Sequence, residues 1–165
     1  MLTVSSKLVQ RTLSKLVGLI AFWAARKSKE QSWHQKGNQS KLALRRWVDS
    51  CEWTFQNKWY LLEAEESFCN NDFEAAKSFY KKAIASANDH KFIHEEALAH
   101  ELTAYFYLEL GEREQTMEHF MLAHEKYLEW GALEKSSSLL NFVAFTKKLW
   151  LESGAHDWSK RNKQK

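Results

Sequence analysis

The densest cluster of side chains that could do chemistry lies between residues 90 and 101. Imidazole nitrogens and carboxylates are zinc ligands, and two histidines four residues apart on a helix can share a metal ion. The spacing is not that of an HExxH zinc protease. His94 and His100 are six residues apart, which turns them toward different sides of a helix. We therefore interpret the cluster as a polar helix surface and expect neither a metal nor a cofactor. Its members are His90, His94, Glu95, Glu96, His100 and Glu101.

Paired carboxylates and thiols offer no better catalytic centre. Glu63 lies three residues before Glu66, and Glu65 four before Cys69, but the surrounding sequence indicates no apolar pocket that would raise a carboxyl pKa. Cys51 and Cys69 are the only cysteines. Their spacing matches no zinc or redox motif and is typical of ordinary thiols in a reducing compartment. We expect a protein that is not an enzyme.

The elements that must position these side chains are predicted to be helices. The 165 residues include no proline and five glycines, so few positions force a helix to break. Hydrophobic residues make up 44% of the chain and aromatic residues 14%, which excludes a disordered protein. Apolar positions that recur with the helical period predict seven helices. Their expected ranges are 6–26, 40–51, 58–68, 73–87, 92–110, 112–130 and 132–151.

Turn-forming residues predict where these helices begin and end. Gly37-Asn38 is a turn signal, so the polar residues 28–39 are predicted to form an exposed linker, and residues 52–57 a short connection. Three further signals mark helix ends, namely Asp72 as an N-cap and Gly111 and Gly131 as the residues that follow a helix.

The first helix has two interpretations, which the sequence leaves open. Its apolar residues form a stripe of helical period, which predicts that this face packs into the core as the first helix of the array. The first acidic residue is Glu30, and a basic, serine-bearing segment without acids is also typical of an organelle transit peptide. The uncharged run 16–25 is shorter than the roughly 20 residues that span a bilayer, so no transmembrane segment is expected. The stripe consists of Leu8, Val9, Leu13, Leu16, Val17 and Ile20.

The net charge of +3 hides an uneven distribution. Residues 1–50 hold ten Lys/Arg and two Asp/Glu, which gives +8, and residues 51–152 hold ten and eighteen, which gives −8. Residues 153–165 hold four and one, which gives +3. Such charge runs are usually solvated faces, and the alternative is that the basic ends attract an anionic surface or pack against an acidic neighbour. Nucleic-acid binding is not expected, because the acidic body would repel phosphate.

The chain repeats itself, since residues 72–83 are answered by residues 112–123. A small residue, an aromatic and a small residue recur at the same offsets, as Ala76, Tyr80 and Ala83 and as Thr116, Phe120 and Ala123. The repeat period of 40 residues indicates helical hairpins stacked on copies of themselves. These hairpins resemble tetratricopeptide (TPR) repeats, with Ala64, Ala104 and Tyr107 at the first-helix positions, although Ser67 stands where an aromatic is usual. The resemblance implies an all-α fold of antiparallel hairpins in a short right-handed solenoid.

A wider stretch carries a second resemblance, through the strings Leu44-Arg45-Arg46-Trp47, residues 92–102 and Tyr127-Leu128-Glu129-Trp130-Gly131-Ala132. Over residues 42–140 the chain is similar to the helical region of very large signalling proteins that join a protein-kinase-like domain, an ATPase, a GAF domain and often a histidine kinase. The sequence has no GxxxxGK[ST] phosphate loop, kinase catalytic loop or GAF domain. The resemblance therefore implies a stand-alone helical segment in signal transduction, without the enzymatic activities of that family.

The resemblance to TPR repeats also implies a partner-binding groove. First-helix positions spaced 3, 4 and 3 line the concave face in that family. Here they are Lys58, Leu61, Glu65 and Phe68 in the first repeat and Leu98, Glu101, Tyr105 and Leu108 in the second. This mixture of apolar, aromatic and acidic groups suits an amphipathic or basic helix or an extended peptide. The alternative is that flanking helices of the chain fill the groove themselves.

Together these observations predict a non-catalytic, cytoplasmic protein-interaction or scaffold module, for which self-association is a further alternative. Residues 1–29 are predicted to be a basic amphipathic first helix, residues 30–152 a TPR-like repeat domain, and residues 153–165 a basic disordered tail. The second functional hypothesis is a membrane-surface or organelle-targeted protein that uses the first helix. In that case the compartment would be a mitochondrion or plastid.

Overall fold

The computed structural model describes the backbone of residues 4–162 and the side chains of residues 13–152. About 90% of the chain is helical, and the described part contains no strand, which confirms the predicted all-α fold. The seven helices are α1 (Val4–Ser28), α2 (Gln31–Ser50), α3 (Glu52–Cys69), α4 (Phe73–Asp89), α5 (Ile93–Leu110), α6 (Arg113–Glu129) and α7 (Leu133–Asn162).

From α3 onward the chain turns at regular intervals, and the four turns are built alike. Asn71, Lys91, Gly111 and Gly131 each take a left-handed φ, between 60 and 85°. At each turn, the residue that follows the left-handed residue donates its amide to the carbonyl of the residue five positions earlier, at 2.9 to 3.0 Å. This bond satisfies a carbonyl at the helix end that has no partner within the helix. Both predicted glycine stops are confirmed. The predicted N-cap is confirmed as well, because the Asp72 carboxylate accepts from the Ala75 amide at 3.1 Å.

These turns fold the chain into stacked antiparallel hairpins. α1 pairs with α2, α3 with α4 and α5 with α6, and α7 packs on α6. The small and aromatic positions singled out by the sequence repeat lie in the core, as predicted, because small residues let the helices approach and the aromatics fill the space between them. All nine are buried: Ala64, Ala76, Tyr80, Ala83, Ala104, Tyr107, Thr116, Phe120 and Ala123.

The prediction of an exposed linker at residues 28–39 is wrong, because α2 begins at Gln31. Gly37 is buried within this helix, where an added Cβ would lie 2.6 Å from the Phe22 ring of α1. The glycine therefore allows two helices to approach closely and does not form a turn. Residues 52–57 are likewise not a connection but the first turns of α3, which bury Phe55.

α1 is rotated relative to the sequence prediction. Three large apolar residues of the expected inward face, Leu13, Leu16 and Ile20, are exposed by 42 to 59%, and so is Trp23 one turn further on. The buried face instead contains Lys15, Gly18, Ala21, Phe22 and Ala25. Small residues on this face let α1 approach its neighbours, since a Cβ on Gly18 would lie 2.8 Å from Leu62 of α3. The prediction for Leu13, Leu16 and Ile20 is therefore wrong, and the side chains of Leu8 and Val9 lie outside the described residues.

The carboxyl-terminal boundary also differs from the sequence expectation. α7 does not end near residue 151 but continues through Asn162. The side chains of residues 153–165 lie outside the described part of the chain, and the disorder predicted for this tail stays a prediction.

Candidate functional site

The first half of the predicted groove is covered by α1. Leu61, Glu65 and Phe68 are buried. The Arg26 guanidinium of α1 donates to the Glu65 carboxylate at 2.5 Å and lies 4.2 Å from the centre of the Phe68 ring. In this repeat the flanking helix fills the groove, which is the alternative that the sequence left open.

Glu65 is held from both sides, although it was expected on an exposed helix face. The Tyr80 hydroxyl of α4 donates to its other oxygen at 2.5 Å. Burial, together with the nearby Glu65 charge, raises the pKa of Tyr80 well above its ordinary value. Burial opposes the charged form of Arg26, but Glu65 outweighs it and raises the pKa of the guanidinium. The carboxylate is therefore a structural anchor for α1 with both oxygens occupied.

A second buried ion pair holds the middle of α1. The Lys15 ammonium lies 2.8 Å from both carboxylate oxygens of Glu95 in α5, and Lys58 of α3 lies 3.4 Å from one of them. Burial raises the pKa of a carboxyl group, yet the two lysines outweigh it and hold the pKa of Glu95 below its ordinary value. Burial lowers the pKa of Lys58. Predicted groove residue Lys58 is therefore part of this internal network.

The uneven charge of the chain is largely neutralised within the molecule. Lys27 of α1 reaches Glu109 of α5 at 3.1 Å, and Lys41 of α2 binds both Glu63 and Glu66 of α3. With the two pairs above, basic residues from the first 50 positions contact acidic residues from the repeat body at several points. The acidic neighbour that the basic amino-terminal part was hypothesised to need is the chain itself.

Four of the six members of the polar cluster between residues 90 and 101 do not lie on a helix surface, which corrects the sequence interpretation for them, whereas His94 is exposed as expected. Glu95, Glu96, His100 and Glu101 are buried. Glu96 binds Lys126 of α6 at 3.2 Å. Glu101 accepts from Tyr127 of α6 and Lys135 of α7, both at 2.7 Å. These carboxylates are buried because each finds partners on another helix, which the local sequence does not show.

His100 and His119 form a contact between α5 and α6. Their Nδ1 atoms lie 2.9 Å apart, and the His119 ring stacks on Tyr107 with centroids 5.5 Å apart. Burial lowers the pKa of His100 to about 4, with His119 and Lys126 adding to the effect. Burial also lowers the pKa of His119. The pair is therefore neutral near pH 7 and shares one proton between the two facing nitrogens.

The second half of the predicted groove is open on one side. Leu98, Tyr105 and Leu108 are half-buried. The Tyr105 ring lies against Phe120 of α6 and Phe142 of α7, with centroids 5.1 and 5.7 Å apart. The remaining predicted residue of this set, Glu101, is buried and held by α6 and α7 as described above.

An open cavity of about 400 Å³ separates this part of α5 from α1. Its apolar walls are Trp23 of α1 and Leu102, Tyr105 and Leu108 of α5, and Phe68 and Arg26 contribute to its lining. We call this cavity and the outward stripe Leu13, Leu16, Ile20 and Trp23 the α1–α5 groove. It brings together four of the predicted groove residues, Glu65, Phe68, Tyr105 and Leu108, with a helix face that the sequence placed in the core.

No protein-family model, curated protein or solved structure matches this chain. The resemblances to TPR repeats and to the helical region of large signalling proteins therefore stay predictions.

Among residues 13–152, no three His, Cys, Asp or Glu side chains are grouped so that they could hold a metal ion. Within the same part of the chain, no helix is both long and apolar enough to cross a membrane. What the arrangement does offer is a preformed apolar groove with its neighbouring charges already paired.

The predicted groove residues included neither the cavity walls Trp23 and Leu102 nor the stripe residues Leu13, Leu16 and Ile20. Trp23 follows Leu13, Leu16 and Ile20 at helical spacing, so the sequence did contain the stripe. The orientation of that stripe could not be read from its spacing, because an amphipathic pattern identifies a face and not the side on which it packs.

Proposed function

We propose that this protein is a non-catalytic protein-interaction module of TPR-like type, and that the α1–α5 groove binds the apolar face of an amphipathic helix. The observation that carries the proposal is the outward orientation of Leu13, Leu16, Ile20 and Trp23. These residues stand at spacings of 3, 4 and 3, and Trp23 at the end of the stripe also lines the open cavity against α5. Exposed apolar faces of this kind mark interaction sites on soluble proteins. A helix laid along α1 would place its own apolar side chains, which recur at the same spacing, against the stripe.

The charges beside the groove indicate which partner fits. Glu65 and Glu95 are paired with Arg26 and Lys15 of α1, so these carboxylates are not available to a basic ligand. At the rim, Lys27 and Glu109 are paired with each other. We therefore favour a partner that binds through apolar contact, and among the predicted partners the amphipathic helix over the basic one. The resemblance to the helical region of signalling proteins suggests a scaffold role in signal transduction.

The second hypothesis, membrane-surface binding or targeting through α1, has weaker support. An interfacial helix combines an apolar face with basic residues that reach lipid headgroups. In α1 the basic residues Lys15, Arg26 and Lys27 contact carboxylates of the repeat body instead. Removal of residues 1–29 would also take Phe22 out of the core and remove the α1 partners of Glu65 and Glu95.

The test is a selection of groove ligands with a matched counter-selection. A phage-displayed library of amphipathic helical peptides is selected on the full chain, and enriched peptides are then measured on Ile20→Glu and on Leu42→Glu. Ile20 and Leu42 are both exposed on helices, but only Ile20 belongs to the α1–α5 groove. We expect peptides with an apolar heptad stripe whose affinity falls about tenfold or more on Ile20→Glu and is unchanged on Leu42→Glu.

Circular dichroism of both variants checks that the helices are intact. Failure to enrich any peptide would contradict the proposal. So would peptides that bind Ile20→Glu as tightly as the unsubstituted chain, because they would occupy another surface.

A further inference from the structure

α7 has the same position in the sequence repeat as α5. α5 begins at Ile93 and α7 at Leu133, and each follows a left-handed turn, at Lys91 and Gly131. The residues of α7 that pack against α6 are Ser136, Leu139, Val143 and Thr146, and all are buried. We count α3–α4 as the first repeat hairpin and α5–α6 as the second. α7 is then the first helix of a third hairpin, and it stacks on the second hairpin as α5 stacks on the first.

The face of α5 that holds its hairpin partner is defined by four residues. Ala97 and Ala104 lie in one core cluster with Phe120 and Ala123 of α6. His100 and Tyr107 both contact His119 of α6. At the equivalent positions of the repeat, α7 carries Ser137, Leu140, Ala144 and Lys147. All four are exposed, and among the helices that the structure describes none packs on them.

The exposed face is longer than these four positions. Leu133 and Leu151 continue it at both ends and are exposed by 62 and 76%. The six residues are spaced 4, 3, 4, 3 and 4, which is the repeat of a helix that packs along another helix. α7 is also longer than the helices before it, with 30 residues against 17 or 18 in α3 to α6. We call this stripe the α7 seam.

We propose that two copies of this chain pair through the α7 seam, with the two α7 helices antiparallel, so that each takes the place of the second helix of the other's third hairpin. Second helices run antiparallel to first helices in the hairpins before it, and a twofold axis perpendicular to the two α7 helices makes them antiparallel in the same way. The axis sets Leu140 opposite Ala144 of the partner copy and Leu133 opposite Leu151 of the partner copy. Ser137 then faces the stem of Lys147, whose ammonium reaches water at the edge.

Charge favours this arrangement over a parallel one. Glu134 and Lys148 flank the seam on the same side, each one residue after a seam position. In the antiparallel pair Glu134 of one copy meets Lys148 of the other, and the twofold axis makes the contact twice. In a parallel pair the equivalent residues of the two copies lie on opposite sides of the seam, so Glu134 and Lys148 would not meet. The proposal does not depend on the α1–α5 groove, because it uses a different helix.

The test is sedimentation velocity of the full chain over a wide range of concentrations. We expect a reversible monomer–dimer equilibrium. Ala144→Glu places a charge at the centre of the seam and is expected to weaken the dimer about a hundredfold. Ala85→Glu is the matched control, because Ala85 is likewise an exposed helical alanine but lies on α4. It is expected to leave the equilibrium unchanged.

Charge reversal tests the direction of the helices. Glu134→Lys alone and Lys148→Glu alone each create two like-charged contacts and are expected to weaken the dimer about fivefold. The combined variant E134K/K148E restores opposite charges and is expected to return to the affinity of the unsubstituted chain.

Three results would overturn the proposal. The first is a chain that stays monomeric at all concentrations, and the second is a dimer that Ala144→Glu leaves intact or that Ala85→Glu weakens equally. The third is failure of the combined charge reversal to restore what the single reversals lose. Circular dichroism of each variant confirms that the exposed substitutions leave the helices folded. Peptide binding to the α1–α5 groove is measured separately, so that failure of one proposal is not mistaken for failure of the other.

Discussion

The two repeats present equivalent first-helix faces, yet one is closed and the other is half open. Leu61, Glu65 and Phe68 of α3 correspond in the repeat to Glu101, Tyr105 and Leu108 of α5. In α3 all three are buried, because α1 lies across them. In α5 only the glutamate is buried, while Tyr105 and Leu108 line the cavity beside α1.

A residue at a first-helix position that lines the groove in the repeat is therefore not always part of an open binding site. The closed half contains a buried carboxylate, and its bond to Arg26 fixes a helix of the same chain over it. The open half has an aromatic at the equivalent place, which packs on Phe120 and leaves its outer side to the cavity. The repeat supplies the scaffold for both faces, and the closed face is the one whose carboxylate pairs with α1.

Removal of Arg26 is the strongest way to break the closed half. Arg26→Ala leaves Glu65 buried without its cation, and we expect the free energy of unfolding to fall by about 3 to 5 kcal/mol. Urea unfolding followed by circular dichroism measures it. Lys27→Ala is the matched control one residue away, because the Lys27–Glu109 pair is 52 and 38% exposed and its loss is expected to cost less than about 1 kcal/mol.

If the buried charge of Glu65 causes the loss of stability, removing that charge should restore part of it. Arg26→Ala combined with Glu65→Gln removes the buried charge and should recover part of the lost stability. Equal losses for Arg26→Ala and Lys27→Ala would contradict the view that Glu65 holds α1 in place.

Acid should loosen the second repeat more than the first. The equivalents of His100 and His119 in the first repeat are Tyr60 and Phe79, whose rings lie 6.3 Å apart and carry no group that titrates near neutrality. The pKa of His100 is lowered from 6.5 to about 4, so the unfolded chain binds its proton at a higher pH than the folded chain does. Stability is therefore complete above about pH 6.5, and we expect about 3 kcal/mol to be lost as the pH falls toward 4.

Hydrogen exchange resolved by segment, compared at pH 7 and pH 5, measures where the loss occurs. We expect α5 and α6 to lose protection before α3 and α4. The double variant His100→Tyr with His119→Phe copies the first repeat and should remove most of this difference. Uniform loss of protection in both repeats, unchanged in the double variant, would rule out the histidine pair as the cause.

The smallest expected effect compares the turns that follow the second helix of each repeat. Lys91 and Gly131 occupy equivalent positions and take φ values of 60 and 85°, a region that favours glycine. Lys91→Gly should therefore stabilise the chain by about 0.5 to 1 kcal/mol, read from the midpoint of thermal unfolding. Lys91→Ala keeps the backbone strain and should give no gain. A gain of the same size from alanine would place the cause in the lysine side chain.

Much of the fold was predictable, because its signals are local. Asp72 caps the helix that follows it through a bond to an amide three residues on, and Gly111 and Gly131 adopt the left-handed turn for which a Cβ is unfavourable. Gly37 led to the wrong prediction of a linker, because glycine occurs in two kinds of structure. The same residue type marks a turn or allows a close helix contact, and its neighbours in sequence do not tell which.

The candidate site was less predictable. The spacing rule found Tyr105 and Leu108, but it also selected Leu61, Glu65 and Phe68, which α1 covers. The contact that closes this half joins Arg26 to Glu65, 39 residues away, and the contact near the middle of α1 joins Lys15 to Glu95, 80 residues away. No local pattern encodes such pairs.

The sequence alone determined that the chain is helical, where most helices end and which small and aromatic residues pack between hairpins. These features depend on hydrogen bonds and steric contacts within a few residues, and on a repeat that can be read directly. Only the tertiary structure decided which face of α1 points inward and which carboxylates are buried. The rotation of a helix about its axis is set by the helices that it packs against. The packing of Phe22 against Gly37 and the ion pair of Lys15 with Glu95 join different helices, so they form only when the chain folds.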